Sequence, residues 1–132
     1  MNRRLLNLDL EIGGFDLLDE NSSNLDRLEG ALAEVSHKSN LDAVVVQDRI
    51  KYESSNALDQ VFRSDLVKVL RRYFTLLEAI YFSKVPWIFV ITNHCKNMAW
   101  ELALSCHYRI CTEPNAEVGF DKHWSPLGRI AT

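Results

Sequence analysis

The sequence predicts an α/β fold with parallel strand pairs, and three observations carry that expectation. A continuous apolar run at Trp87–Ile91 reads as a buried strand covered on both faces. Met98, Leu102 and Cys106 then recur every fourth residue, one face of a short helix, before Tyr108–Thr112 restores β-type residues. Upstream of both, strand-like and helix-like stretches alternate, the pattern of strands joined by right-handed helical crossovers. The chain is organised around the stretch 84–112, KVPWIFVITNHCKNMAWELALSCHYRICT. Its polar loop, Thr92–Asn97, would bring a helix N-terminus to the end of a buried strand. Free backbone N–H groups there form a ready anion or oxyanion site.

The elements follow in order. Leu6, Leu8, Leu10 and Ile12 alternate with Asn7, Asp9 and Glu11, the period-two signature of a half-buried strand, which Gly13-Gly14 ends. Asn21 to Asn24 offers several N-cap residues, and Leu25, Leu28, Leu32 and Val35 mark one helical face to about His37. Ala43–Gln47 is a short β-branched run, a second buried strand, and Asp48–Asn56 is a polar loop. From Ala57 to Ser83 there is neither Gly nor Pro. Val61, Leu66, Val69, Tyr73, Leu77 and Ile80 keep helical spacing there, in one long helix or two joined by a kink. Beyond the central stretch come a Pro114-Asn115 turn and a short strand near Glu117–Phe120.

Composition narrows the class of protein. One domain is the natural reading of 132 residues, and 47% hydrophobic with 25% charged residues is ordinary for a globular chain. No apolar run approaches the length of a membrane span, and MNRRLLNLDLEI carries charge too early for a signal peptide. A net charge of −3 gives no reason to expect nucleic acid. Lys68, Arg71 and Arg72 read as a solvated helix face. Cys95, Cys106 and Cys111 form no C-x-x-C pair and read as reduced thiols of a cytoplasmic protein. Their spacing with His94 and His107 fits no zinc pattern, so no metal is expected. Trp87, Phe89 and Trp100 read as core rather than as a stacking platform.

Three pieces of the chain, in order, resemble the enoyl-CoA hydratase/isomerase (crotonase) superfamily. Leu41–Val46, followed by Ser54-Ser55-Asn56-Ala57-Leu58-Asp59, is similar to the family's "RAVVL…SAGADL". Lys84–Ile88 resembles "KPVIAAVNG". Glu101–Ile110, ELALSCHYRI, resembles "ELALACDYRI", with Ser105 and His107 as the differences. The likeness continues to a region near Gly119 similar to "FGxPE". The family's Gly-Gly-Gly is Asn97-Met98-Ala99 here, which sets side chains where glycine lets the backbone approach a ligand closely.

The resemblance implies a spiral of ββα units. Members usually run to roughly twice this length, so 1–132 is expected to be a single crotonase-like domain, the N-terminal portion only, lacking the family's C-terminal half. It also implies an acyl-CoA thioester as substrate, coenzyme A being part of that substrate and no other cofactor being needed. Two backbone amides, those of Ala57 and Met98, would form the oxyanion hole, and Glu101 would be a catalytic carboxylate in hydration or isomerisation. The second carboxylate falls on Asp121 when counted without gaps. It falls on Lys122, which cannot activate water as a carboxylate does, if Gly119 aligns with the motif glycine. Helix position alone gives Glu101 a simpler role, complementing the helix dipole. A homo-oligomer, trimer-based as in the family, or a protein partner is expected, with neither nucleic acid nor membrane involved. The alternative reading is a catalytically degenerate crotonase-like module that acts by binding or oligomerisation.

Overall fold

The computed structural model describes residues 4–10, 24–37, 40–48, 63–92 and 94–120. Their elements are β1 (Leu5–Leu10), α1 (Asn24–His37), β2 (Ala43–Asp48), α2 (Arg63–Tyr81), β3 (Trp87–Ile91), β4 (Cys95–Lys96), α3 (Met98–Ser105), β5 (Tyr108–Cys111) and β6 (Val118–Gly119). Four strands form one sheet in the order β1-β2-β3-β5, every pair parallel, with a helix in each connection. The registers Val46↔Phe89 and Phe89↔Arg109 set the centre of β3 between its two neighbours. β4 and β6 make a separate parallel ladder, Cys95↔Val118 and Lys96↔Gly119. The run β3-β4-α3 has the strand-strand-helix order of a ββα unit.

One contiguous core lies against one face of the large sheet. Leu8, Leu10, Val44, Val46, Trp87, Phe89 and Ile91 supply the sheet side; Leu25 and Leu28 of α1, Leu70, Tyr73, Leu77 and Ile80 of α2, and Met98 and Leu102 of α3 supply the helix side. Trp87 and Phe89 are wholly buried and Trp100 packs against the core's margin, so all three are structural. Apolar burial of this kind contributes about 1.5–3 kcal/mol for each large side chain, before conformational entropy is set against it.

Several sequence expectations need correction. β3 is not covered equally on its two faces: Trp87, Phe89 and Ile91 are buried while Ile88 and Val90 are half-buried, because the core packs on one side. The segment 92–97 is not loop throughout, since Cys95 and Lys96 pair with β6. Arg72 does not simply face solvent. Its guanidinium reaches α1, where it bonds Asp26 at 2.6 Å and also Glu29. Exposed pairs of this type contribute under about 1 kcal/mol each, and here they link the surfaces of α1 and α2. The long helical stretch is a single helix from Arg63 to Tyr81, and 57–62 lie outside the described residues. No described helix is long and apolar enough to cross a membrane.

Candidate functional site

The site begins where β3 ends. Thr92 Oγ1 donates to the Asp48 carbonyl and the Thr112 N–H donates to the Ile91 carbonyl, so the ends of β2, β3 and β5 are tied together. The chain then turns along β6. The Cys95 N–H donates to the Glu117 carbonyl at 2.8 Å and the Asn97 N–H to the Gly119 carbonyl at 2.9 Å. Two side-chain contacts brace the same edge: the Glu117 N–H donates to His94 Nδ1 at 2.9 Å, and Lys96 Nζ lies 3.0 Å from Glu117 Oε2.

Asn97 caps α3 with φ 60° and ψ −119°, a conformation that favours glycine. The resemblance sets it at the first position of the family's triple glycine, and the backbone here takes a glycine-type conformation. Among non-glycine residues, Asn tolerates positive φ better than most. Met98, by contrast, sends its side chain into the core and is wholly buried.

The direction of the Met98 N–H follows from peptide planarity. The Asn97 carbonyl accepts the Glu101 N–H at 3.0 Å and so points into the helix. The described peptides include no cis bond, so the Met98 N–H, on the same plane, points the opposite way, out of the helix N-terminus. Neither this N–H nor those of Ala99 and Trp100 donates to a backbone acceptor among the described residues. Together they form a preorganised cluster of donors at the positive end of a helix dipole.

Glu101 lies one turn in. It is half-buried, and its Oε2 is buried without a hydrogen-bond partner among the described residues. That burial raises its carboxyl pKa above the ordinary glutamate value. Tyr73, on α2, is wholly buried, and its hydroxyl donates to the Met98 carbonyl at 2.5 Å. Its pKa is pushed well above the usual tyrosine value, first by burial and then by the negative charge of Glu101. Of the four residues singled out by the resemblance, Met98 and Glu101 come together on α3. Ala57 and Asp121, with Lys122, lie outside the described residues.

In the sequence Tyr73 is one residue of an apolar helical stripe. A phenol in such a stripe was the available signal, since a buried hydroxyl needs an acceptor. His107 is structural. The Trp87 N–H donates to its Nδ1 at 2.9 Å while Nε2 meets the Tyr81 carbonyl at 3.2 Å, which requires the tautomer protonated at Nε2. Arg109 closes the far end of α3, donating to the carbonyls of Ala103 and Cys106. A groove of about 370 Å³ lies near the C-terminal ends of α1 and α2, lined by Leu32, Val35, Ala79, Phe82 and Lys84. It shares no lining residue with the α3 N-terminus.

No family profile and no curated protein matches the sequence. Solved structures do match the fold. An enoyl-CoA hydratase from Geobacillus kaustophilus superposes with a TM-score of 0.74 at 17% identity, covering 91% of this chain and 47% of the other. An enoyl-CoA hydratase/isomerase family protein from Silicibacter pomeroyi gives 0.70 at 14% identity, covering 91% and 53%. The enoyl-CoA hydratase from Bacillus anthracis gives 0.65 at 18%, covering 74% and 40%. The chain thus has the crotonase-type α/β fold of enoyl-CoA hydratase/isomerase proteins. It spans about half the length of the solved structures that it matches.

Proposed function

We propose that the chain binds an acyl-CoA thioester, with the carbonyl oxygen on the Met98 N–H and Glu101 as the acid/base beside it. The observation that carries this reading is the outward Met98 N–H at a helix N-terminus held open by the glycine-type turn of Asn97. Donors fixed in place before the reaction stabilise a developing enolate oxyanion, and removing one costs on the order of 3–4 kcal/mol. The amide of Ala57 is the second donor by resemblance. A carboxyl whose pKa is raised by burial exchanges protons more readily near neutrality than an exposed glutamate does. Moving a proton along an enoyl chain needs one such group. Adding water also needs a second group, for which Asp121 stands by resemblance.

Calorimetric titration with crotonyl-CoA tests the binding step, and a hydration or isomerisation assay tests the chemistry. Micromolar affinity supports the reading, and Glu101→Gln should then abolish turnover with affinity nearly unchanged. A folded chain that binds no acyl-CoA sinks it.

A second reading is favoured by a different observation. β5 is exposed along its whole length, with Tyr108 61% and Ile110 50% exposed. Parallel strands are ordinarily covered on both faces. A crotonase-like module that assembles with copies of itself or with another protein would cover this edge. Light scattering tests it: a clean monomer counts against assembly.

A further inference from the structure

The most informative group outside the motif residues is the buried phenol of Tyr73. We propose that Tyr73 is a positioning residue for the thioester carbonyl, its hydroxyl locking the first turn of α3 through the Met98 carbonyl; this rests on the thioester reading above. Two consecutive peptide planes meet at Met98. The Asn97–Met98 plane is fixed from inside the helix by the Glu101 N–H on the Asn97 carbonyl. The next plane, Met98–Ala99, carries the Met98 carbonyl, and Tyr73 grips it at 2.5 Å from a different helix. The Ala99 N–H belongs to that plane and the Met98 N–H to the one before it. Fixing both planes therefore fixes the directions of both outward donors.

Sequence position makes the grip independent of the loop. Tyr73 belongs to α2, which packs into the core through Leu70, Leu77 and Ile80, and Met98 is itself wholly buried. The α3 N-terminus is thus held from the loop side by Asn97 on Gly119 and from the core side by Tyr73. A carbonyl has two lone pairs, so the phenol can bond Met98 alongside the helix's own hydrogen bonding. Preorganisation of this kind matters for an oxyanion hole because a small error in donor direction is felt directly by the carbonyl.

The test uses crotonyl-CoA labelled with ¹³C at the thioester carbonyl, bound to the full chain. Polarisation by the hole moves the carbonyl resonance downfield on binding. Tyr73→Phe keeps the ring and removes only the hydroxyl, and should lose a measurable part of that displacement. Ile80→Val, a buried change on the same helix with a comparable stability loss, should keep it. A purely structural Tyr73 predicts lowered stability in both variants and an unchanged resonance, which overturns the proposal while leaving the thioester reading intact. If wild type binds crotonyl-CoA without displacing the resonance, or does not bind it, the thioester reading fails and this proposal with it. Should Tyr73→Phe not fold, 3-fluorotyrosine placed at 73 gives the second reading. This stronger donor should enlarge the displacement, and a decrease would overturn the proposal.

Discussion

The Asn97 N–H donates to the Gly119 carbonyl at 2.9 Å, and both residues hold positive φ, 60° and 117°. The entrance to α3 and the short strand β6 are thus bonded at two positions where the backbone favours glycine, and only one of them has it. In Asn97 the strain is borne by a residue with a Cβ, at a typical cost of about 1–3 kcal/mol.

That relationship predicts a substitution order. Asn97 caps α3 and holds a positive φ, and both features favour Gly over Ala, so Asn97→Gly should exceed Asn97→Ala in stability by roughly 1–3 kcal/mol. Urea denaturation of the two variants reads the difference directly. Equal stabilities would mean that the turn relaxes at no cost and that the glycine demand is absent.

Glu101 predicts a pH signature. Its folded-state pKa is raised by burial above the unfolded value near 4.5, so the folded state disfavours the charged form. The sign follows from linkage: folding is relatively favoured below the unfolded pKa, and that advantage is lost as pH rises through the folded pKa. Glu101→Gln should therefore be more stable than wild type at about pH 7, with the gap closing by about pH 4. Thermal melts of both proteins across that range check it. A gap that widens toward acid would show that the carboxylate is stabilised in the fold.

The three cysteines should separate in reactivity. Cys95 and Cys106 are buried in the core, and burial pushes both thiols up to about 12. Cys111 is exposed on β5, with its Sγ 3.1 Å from the Glu113 carbonyl. A disulfide reagent at neutral pH should titrate one thiol of the native protein quickly and the other two only at the rate of unfolding. Rapid reaction of all three would place Cys95 or Cys106 in an open site.

Much of this fold was legible because burial leaves a periodic trace. The bounds of β3 match its apolar run at both ends, and α3 begins at Met98, the first residue of the i, i+4 stripe. What escaped is long-range or hidden behind hydrophobic spacing. Nothing local distinguishes Cys95-Lys96 from loop, since its partner is β6 near the other end of the segment. The partner of Arg72, Asp26, is on α1, far from it in sequence. Tyr73 looked like one more core residue, and only the packed structure shows which carbonyl its hydroxyl finds. For the site, the resemblance placed Met98 and Glu101 on one helix. The φ of Asn97 and the inward side chain of Met98 needed the backbone itself.

His107 ties two elements through one neutral ring, accepting from the Trp87 N–H and donating to the Tyr81 carbonyl. Removing the acceptor leaves the backbone N–H at the start of β3 unpaired, at a cost of about 1–3 kcal/mol. His107→Ala should show that loss. His107→Asn, whose side-chain oxygen can occupy the place of Nδ1, should recover much of it by accepting from Trp87. Chemical denaturation of the pair gives the comparison. If Asn is no better than Ala, the ring acts through packing rather than through the Trp87 N–H.

Among the described residues β5 pairs on one side only, with β3. Tyr108 and Ile110 are joined in exposure by Leu104 on α3, Val118 of β6 and Phe120 just after it, all of them large and apolar. Unpaired edge strands and exposed apolar side chains are both features that proteins cover by association. Ile110→Lys puts a charge on the edge without touching the core, so the monomer should keep its stability to within about 0.5 kcal/mol. If β5 is the contact, light scattering should show wild-type oligomers that this variant disperses. Ellman titration adds an internal check, because Cys111 on the same strand should become more reactive as the oligomer dissociates. A wild-type monomer, or an oligomer that survives Ile110→Lys with Cys111 still reactive, would remove β5 as the contact.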